Sequence, residues 1–298
     1  MVSHSAPIGV FDSGLGGLSV VAELRRELPR EAIRYVADSA FCPYGERDMA
    51  FIRARSLLIC RALADGGAKA IVVACNTATA SALDLLRAEI EVPVVGLEPA
   101  VKPATALTIS GKIAVLSTPV TAASPRLLDL LGRYGAGLDI RSIGMPGLAD
   151  RVEAGEGDSD EVARRLEAVI RPLVAEGVDT IVLGCTHYPF LSGTVTAIAG
   201  DAVRIVDSSN AVARRVRDLL IGAHALAPPP ARGGITLETS GDPALVAAVA
   251  SRLLRTPVTA TSLSLPVSME AATTDSPSRL GDIGDPSVAA RPGPKAPG

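Results

Sequence analysis

Three strand-like segments recur in the same order along the chain, and this recurrence limits the fold more than any other feature. IGVFDSG at residue 8 resembles IAVLSTP at 113, AKAIVVACNTATA at 68 resembles VDTIVLGCTHYPF at 178, and VVGLEP at 94 resembles VRIVDS at 203. The displacements, 105, 110 and 109 residues, are nearly constant, as expected of two copies of one structural unit. Around these segments, short runs rich in Val, Ile and Leu (8–11, 33–37, 70–74, 92–97, 113–117, 180–184, 203–206) alternate with stretches whose apolar residues fall three to four apart (53–63, 80–90, 160–174, 211–221). Apolar strands between amphipathic helices are the pattern of a parallel sheet covered on both faces. The chain is therefore expected to be α/β, with two related halves. Residues that follow equivalent strands gather at the carboxyl edges of the sheets, where open α/β sheets bind ligands. Two such edges facing each other make one cleft.

Cys75 and Cys185 end the matched strands at 70–74 and 180–184, and polar groups follow each: Asn76-Thr77 and Thr186-His187. A cysteine is often no more than a small buried hydrophobe, the reading that suits Cys60 among Leu and Ile; Cys42 is ambiguous. That reading does not explain two thiols at one place in two repeats. The N-terminus of a following helix stabilises a thiolate, so each site is expected to be poised. Opposed thiols suit one kind of chemistry, in which one thiolate removes a proton from carbon and the other thiol returns a proton to the opposite face. The product is the mirror image.

Two cofactor readings compete. Asp12-Ser13-Gly14-Leu15-Gly16-Gly17, between the first strand and an amphipathic helix, invites a dinucleotide fingerprint with Asp38 ending the next strand. Ser19 stands where the third glycine or alanine belongs, however, and Asp12 would repel a pyrophosphate at the helix N-terminus. A pyridoxal Schiff base needs a lysine. Lys69 and Lys112 precede strands and Lys295 lies in the tail, which leaves only Lys102. Ser13, Asn76, Thr77, Thr118, Thr121 and Thr186 all follow strand ends, where hydroxyls, amides and backbone N–H groups can hold a carboxylate and an ammonium. Cofactor-free chemistry is expected. His187 can share the Cys185 proton and Asp12 can play a complementary role near Cys75. The competing readings are a structural imidazole and a turn or capping carboxylate. Glu153 and Asp38 are weaker candidates.

Composition removes other function classes. The 298 residues are 48% hydrophobic, enough for a substantial core, and 29 basic against 32 acidic residues leave a net charge of −3 without a long basic run. Nucleic-acid binding therefore has no electrostatic support. The first residues resemble no signal segment and no apolar run spans a bilayer, so a soluble, cytoplasmic protein without membrane attachment is expected. The four cysteines show no zinc-type spacing. Neither metal nor disulfides are expected, and the expected ligand class is a small molecule.

The motifs DSGLGGLSV (12–20), ADSAFCPYG (37–45), ACNTATA (74–80) and LGCTHYP (183–189) resemble glutamate racemases, over roughly residues 7–265. The resemblance implies a cofactor-independent interconversion of L- and D-glutamate that supplies peptidoglycan synthesis, and two pseudosymmetric α/β domains with the active site in the cleft between them. The domains would be residues 1–98 with 210–265, and 99–209. Apart from the resemblance, residues 266–298 are rich in Pro, Ser, Ala and Gly without apolar periodicity and are expected to be a disordered tail. The resemblance makes Cys75 and Cys185 the acid/base thiols. Asp12, Ser13, Tyr44, Gly45, Asn76, Thr77, Thr118, Thr121, Thr186 and His187 become substrate contacts, and Asp12 and His187 also auxiliary acid/base groups. A homodimer is the family's common assembly. Cys42 and the long tail depart from the family pattern. Rival readings are an aspartate racemase, whose second motif usually reads C-T-E rather than C-T-H, a hydrolase or transferase with Cys185 as nucleophile, and a non-catalytic protein-binding regulator. The second leaves Cys75 without a role, and the third has no reason to retain both thiols.

Overall fold

The computed structural model describes residues 4–231 and 233–265. The chain begins with β1 (Ile8–Asp12), α1 (Leu18–Glu27), β2 (Ile33–Ala37), α2 (Met49–Asp65), β3 (Ala70–Val73), α3 (Asn76–Glu89) and β4 (Val94–Gly96). It continues through α4 (Val101–Leu107), β5 (Lys112–Ser117), α5 (Pro119–Ala122), α6 (Pro125–Tyr134), β6 (Asp139–Gly144), α7 (Leu148–Glu153), α8 (Asp160–Ala175), β7 (Thr180–Leu183), α9 (Ser192–Ala199) and β8 (Arg204–Val206). It then returns through α10 (Ser209–Gly222), β9 (Ile235–Thr239), α11 (Pro243–Leu254) and β10 (Ala260–Ser262).

These strands make two parallel sheets, ordered β10-β9-β2-β1-β3-β4 and β6-β5-β7-β8. Without β9 and β10, the first order becomes β2-β1-β3-β4, the same arrangement as the second. The three sequence repeats fall on β1/β5, β3/β7 and β4/β8. The fourth pair, β2/β6, is not visible as an apolar run because Asp139–Gly144 has no buried residue. As a sheet edge it tolerates charged side chains. By contrast, β1, β3 and β7 are buried at every position, as strands covered on both faces must be.

One apolar layer packs α1, α10 and α11 residues against the first sheet, and another packs α2 and α3 against its other face. The second sheet is covered by α4 and α6 on one face and by α7, α8 and α9 on the other. Polar caps fix several helix starts: Asp48 accepts from Phe51 N–H, Ser124 from Leu127 N–H, and Ser159 from Val162 N–H, each satisfying a donor that the helix leaves open. Both sheets belong to one unit ending at Leu265. The expectation of a disordered tail at 266–298 lies outside the described residues. Among the described residues no helix is long and apolar enough to cross a membrane.

Register brings the functional loops together. Phe11 pairs with Val73, so Asp12-Ser13 and Ala74-Cys75 leave the first sheet side by side. Leu116 pairs with Leu183, which does the same for Ser117-Thr118 and Gly184-Cys185.

Candidate active site

The loop after β1 is organised by Asp12. Its buried carboxylate accepts hydrogen bonds from Ser13 N–H at 2.7 Å and from Gly17 N–H at 2.5 Å. Two amides of the loop are therefore already engaged by a buried carboxylate, which counts against a pyrophosphate there. Burial raises the Asp12 carboxyl above its ordinary range, opposed by the nearby His187 and reinforced by Glu153. Ser19, the residue that broke the fingerprint, donates its hydroxyl to the Thr186 carbonyl at 3.1 Å and so links the loops of the two sheets. Gly14 and Gly16 allow a closer approach still. A Cβ on Gly14 would stand 2.1 Å from Glu153 Oε1, and one on Gly16 would stand 2.5 Å from His187 Nδ1 and 2.6 Å from Thr186 Oγ1.

Cys75 caps α3, its sulfur accepting from Ala78 N–H at 3.4 Å and lying 3.6 Å from Ser13 Oγ. Helix poising was expected to favour the thiolate. Instead burial, with the Asp12 carboxylate adding to it, pushes the Cys75 thiol up, and the Ala78 and Ser13 hydrogen bonds do not overcome it. Cys185 differs more sharply. No α-helix begins at Thr186: a 3-10 turn, Tyr188–Leu191, intervenes before α9. Its partner is the imidazole, with Cys185 Sγ 3.6 Å from His187 Nδ1. The other ring nitrogen, Nε2, hydrogen-bonds Glu153 Oε1 at the end of α7, and Leu15 N–H donates to that same oxygen at 2.5 Å. Burial alone disfavours an imidazolium, but the hydrogen bonds to Cys185 and Glu153 outweigh it and hold His187 well above its usual pKa. A carboxylate behind an imidazole fixes the ring's orientation and raises its basicity.

The remaining residues line the same junction. Thr77 Oγ1 lies 3.1 Å from Thr118 Oγ1 and 3.3 Å from Thr121 Oγ1, and the last two are 3.0 Å apart. One hydroxyl thus comes from the first sheet's edge and two from the second's. Asn76 Nδ2 donates to the Leu97 carbonyl at 3.3 Å, while Asn76 Oδ1 is buried with no hydrogen-bond partner among the described residues. An unmet buried acceptor costs about 1–3 kcal/mol, which a ligand's donor can recover. Tyr44 donates to Asp38 at 2.6 Å, and Asp38 forms a buried ion pair with Arg55 at 2.6 Å. This network anchors the turn that sets Gly45 against Thr118, where a Cβ would come within 3.2 Å. Asp38 is therefore a support for Tyr44. Cys60 is fully buried, as its apolar surroundings implied.

Lys102 stacks over the Tyr134 ring at 5.6 Å, Lys69 pairs with Glu31, and Lys112 donates to the Glu176 carbonyl. Of the residues near the thiols, Glu153 was undervalued from sequence because it lies 34 positions from His187 with no local signature; only the close of α7 against the β1 loop places it.

The geometry agrees with comparisons to known proteins. Residues 8–216 match the family model for Asp/Glu/hydantoin racemases. The chain is 43% identical to a glutamate racemase of Stutzerimonas stutzeri over 84% of its length and 94% of that protein. It resembles the glutamate racemase isoform RacE1 of Bacillus anthracis, with a TM-score of 0.80, 33% identity, and coverage of 88% of this chain and 98% of that one. It also resembles the Escherichia coli glutamate racemase solved with L-glutamate and an activator, with a TM-score of 0.77, 32% identity, and coverage of 88% and 99%. Two equivalent sheets, a thiol after the third strand of each and a family match across both together establish that this chain belongs to the Asp/Glu/hydantoin racemase family.

Proposed function

We infer that the chain interconverts L- and D-glutamate without a cofactor, using Cys75 and Cys185 as the two proton-transfer groups. One observation carries the reading: each thiol follows the same strand of an equivalent sheet, and each has its own partner, Ser13 at 3.6 Å or His187 at 3.6 Å. With the substrate Cα between them, one thiolate takes the α-proton and the opposite thiol delivers another. The environments divide the work. Cys75, whose burial favours the thiol, begins as the donor, and Cys185 begins as the base once its proton has passed to His187. After one turnover the roles are exchanged, so the reverse reaction uses the same two groups.

Asn76 Oδ1 and the Thr77, Thr118 and Thr121 hydroxyls are assigned to the substrate's ammonium and carboxylates, with Ser13, Thr186 and the Tyr44-Gly45 turn completing the walls. Asp12 holds the loop and the local charge. Both thiols are only 5% exposed, so the two edges are expected to part for glutamate to enter. Closure then excludes water from the carbanion. We assign residues 1–98 with 210–265 to one α/β domain and 99–209 to the other. Supply of D-glutamate to peptidoglycan synthesis, a cytoplasmic location and a homodimeric assembly belong to the same proposal and are supported by the family resemblance.

The test uses purified protein stripped of pyridoxal phosphate and treated with a chelator. It should convert L-glutamate to D-glutamate and exchange the Cα hydrogen with D2O. Absence of both refutes the reading, and faster turnover of aspartate would transfer it to the aspartate branch of the family.

A further inference from the structure

We propose that Cys42, Glu153 and His187 form a binding site for a thiophilic divalent cation such as Zn2+, whose occupancy withdraws His187 from Cys185 and switches the site off. The inhibitory half rests on the racemisation proposed above; the binding half does not. One ligand atom from each residue, a sulfur, a carboxylate oxygen and an imidazole nitrogen, lies within 4.8 Å of the other two. Metal bonds of about 2.3 Å to sulfur and 2.0–2.2 Å to nitrogen or oxygen in a tetrahedral site imply ligand atoms roughly 3.3–3.8 Å apart. Ligand atoms within 4.8 Å of one another need to shift by about 1 Å to reach that spacing.

The three residues come from the turn after β2, the end of α7 and the loop after β7, so their numbers form no metal motif. For that reason sequence spacing raised no expectation of a metal. Gly14 keeps the space open: a Cβ there would stand 2.1 Å from Glu153 Oε1 and 2.8 Å from Cys42 Sγ. The surroundings are acidic, with Asp12 and Asp150 acting on Cys42 in addition to Glu153. Leu15 N–H donates to Glu153 Oε1 at 2.5 Å, a second contact that orients the carboxylate. Thiolate and imidazole donors select Zn2+ over Mg2+ or Ca2+.

Binding exchanges protons for the metal. The Cys42 thiol loses its proton, and the metal replaces the proton shared by His187 Nε2 and Glu153. The proton then held on Nδ1 is the one taken from Cys185; with Nε2 on the metal the ring has no nitrogen left to accept another, so the proton that Cys185 takes from the substrate cannot be passed on and the thiolate is not regenerated. Cys42 has no part in the proton transfer itself, so its loss should spare the basal reaction.

The chelator-treated full-length protein is titrated with Co2+ without substrate, and with Zn2+ by calorimetry and in the racemisation assay. The wild type should bind one ion and develop a sulfur-to-cobalt charge-transfer band. Cys42→Ser, with Cys42→Ala as a second variant should the first fail to fold, should lose the band while Cys185→Ser keeps it. Zn2+ should inhibit the wild type. The Cys42 variants should retain basal turnover and need at least about tenfold more Zn2+, the smallest loss usual even for residues that only support a ligand. Persistence of the band and inhibition without Cys42, loss of the band in Cys185→Ser, or no stoichiometric binding would each overturn the proposal. If racemisation is absent throughout, the cobalt and calorimetric results still decide the binding half.

Discussion

Replacing Glu153 by Gln should slow racemisation without unfolding the protein. The carboxylate hydrogen-bonds His187 Nε2 and accepts from Leu15 N–H at 2.5 Å; glutamine keeps an oxygen for the amide but loses the charge behind the imidazole. A hydrogen bond to a charged group contributes about 1.5–3 kcal/mol. At about 1.36 kcal/mol per factor of ten, kcat/KM should fall roughly 10- to 150-fold. Because L- and D-glutamate are equal in energy, that loss must be the same in both directions, although kcat and KM can change unequally. Glu153 helps to hold His187 above its ordinary pKa, so the limb of the pH profile that reports this ring should move to lower pH. Steady-state kinetics from either enantiomer across pH, with thermal melts as a control for folding, provide the assay. Unchanged kcat/KM with an unmoved limb, in a variant of wild-type stability, would refute the role given to Glu153.

Gly16→Ala should damage catalysis more than stability. Its Cβ would meet His187 Nδ1 at 2.5 Å and Thr186 Oγ1 at 2.6 Å, and a displacement of about 1 Å near reacting groups costs on the order of 100-fold. Kinetics and melting temperature measured on one sample separate the two effects. Asp179 offers a test away from the site. Its partial burial would raise it, but hydrogen bonds from the Thr108 hydroxyl at 2.6 Å, Ser110 N–H at 2.7 Å and Ile109 N–H at 2.6 Å hold it well below the ordinary range. Its contribution is therefore complete above the unfolded value of about 4 and is lost as pH falls through the depressed folded value. Asp179→Asn should flatten that acid limb in denaturant midpoints measured against pH.

The strands that cross the buried interior of each sheet were legible because solvent exclusion on both faces leaves them almost wholly apolar. β6 was hidden because an edge strand needs no apolar run. The thiols were legible through their repeated position, as were the hydroxyls that follow strand ends, since parallel topology puts all strand ends on one edge. What lay beyond the sequence depended on contacts between distant segments: Glu153 behind His187, Ser19 reaching Thr186, and Cys42 beside Glu153 and His187. The protonation of Cys75 also escaped it. A helix N-terminus can be read from spacing, but the burial that opposes it comes only with the closed cleft.

The most direct test of two opposed thiols is solvent exchange in the single variants. Cys75→Ala and Cys185→Ala are each incubated in D2O with pure L-glutamate and, separately, with pure D-glutamate, and both deuterium incorporation and inversion are followed. Neither variant should invert the substrate, and any residual exchange should be confined to one enantiomer in the first variant and to the opposite enantiomer in the second. Inversion by either variant, or exchange of the same enantiomer by both, would contradict the account.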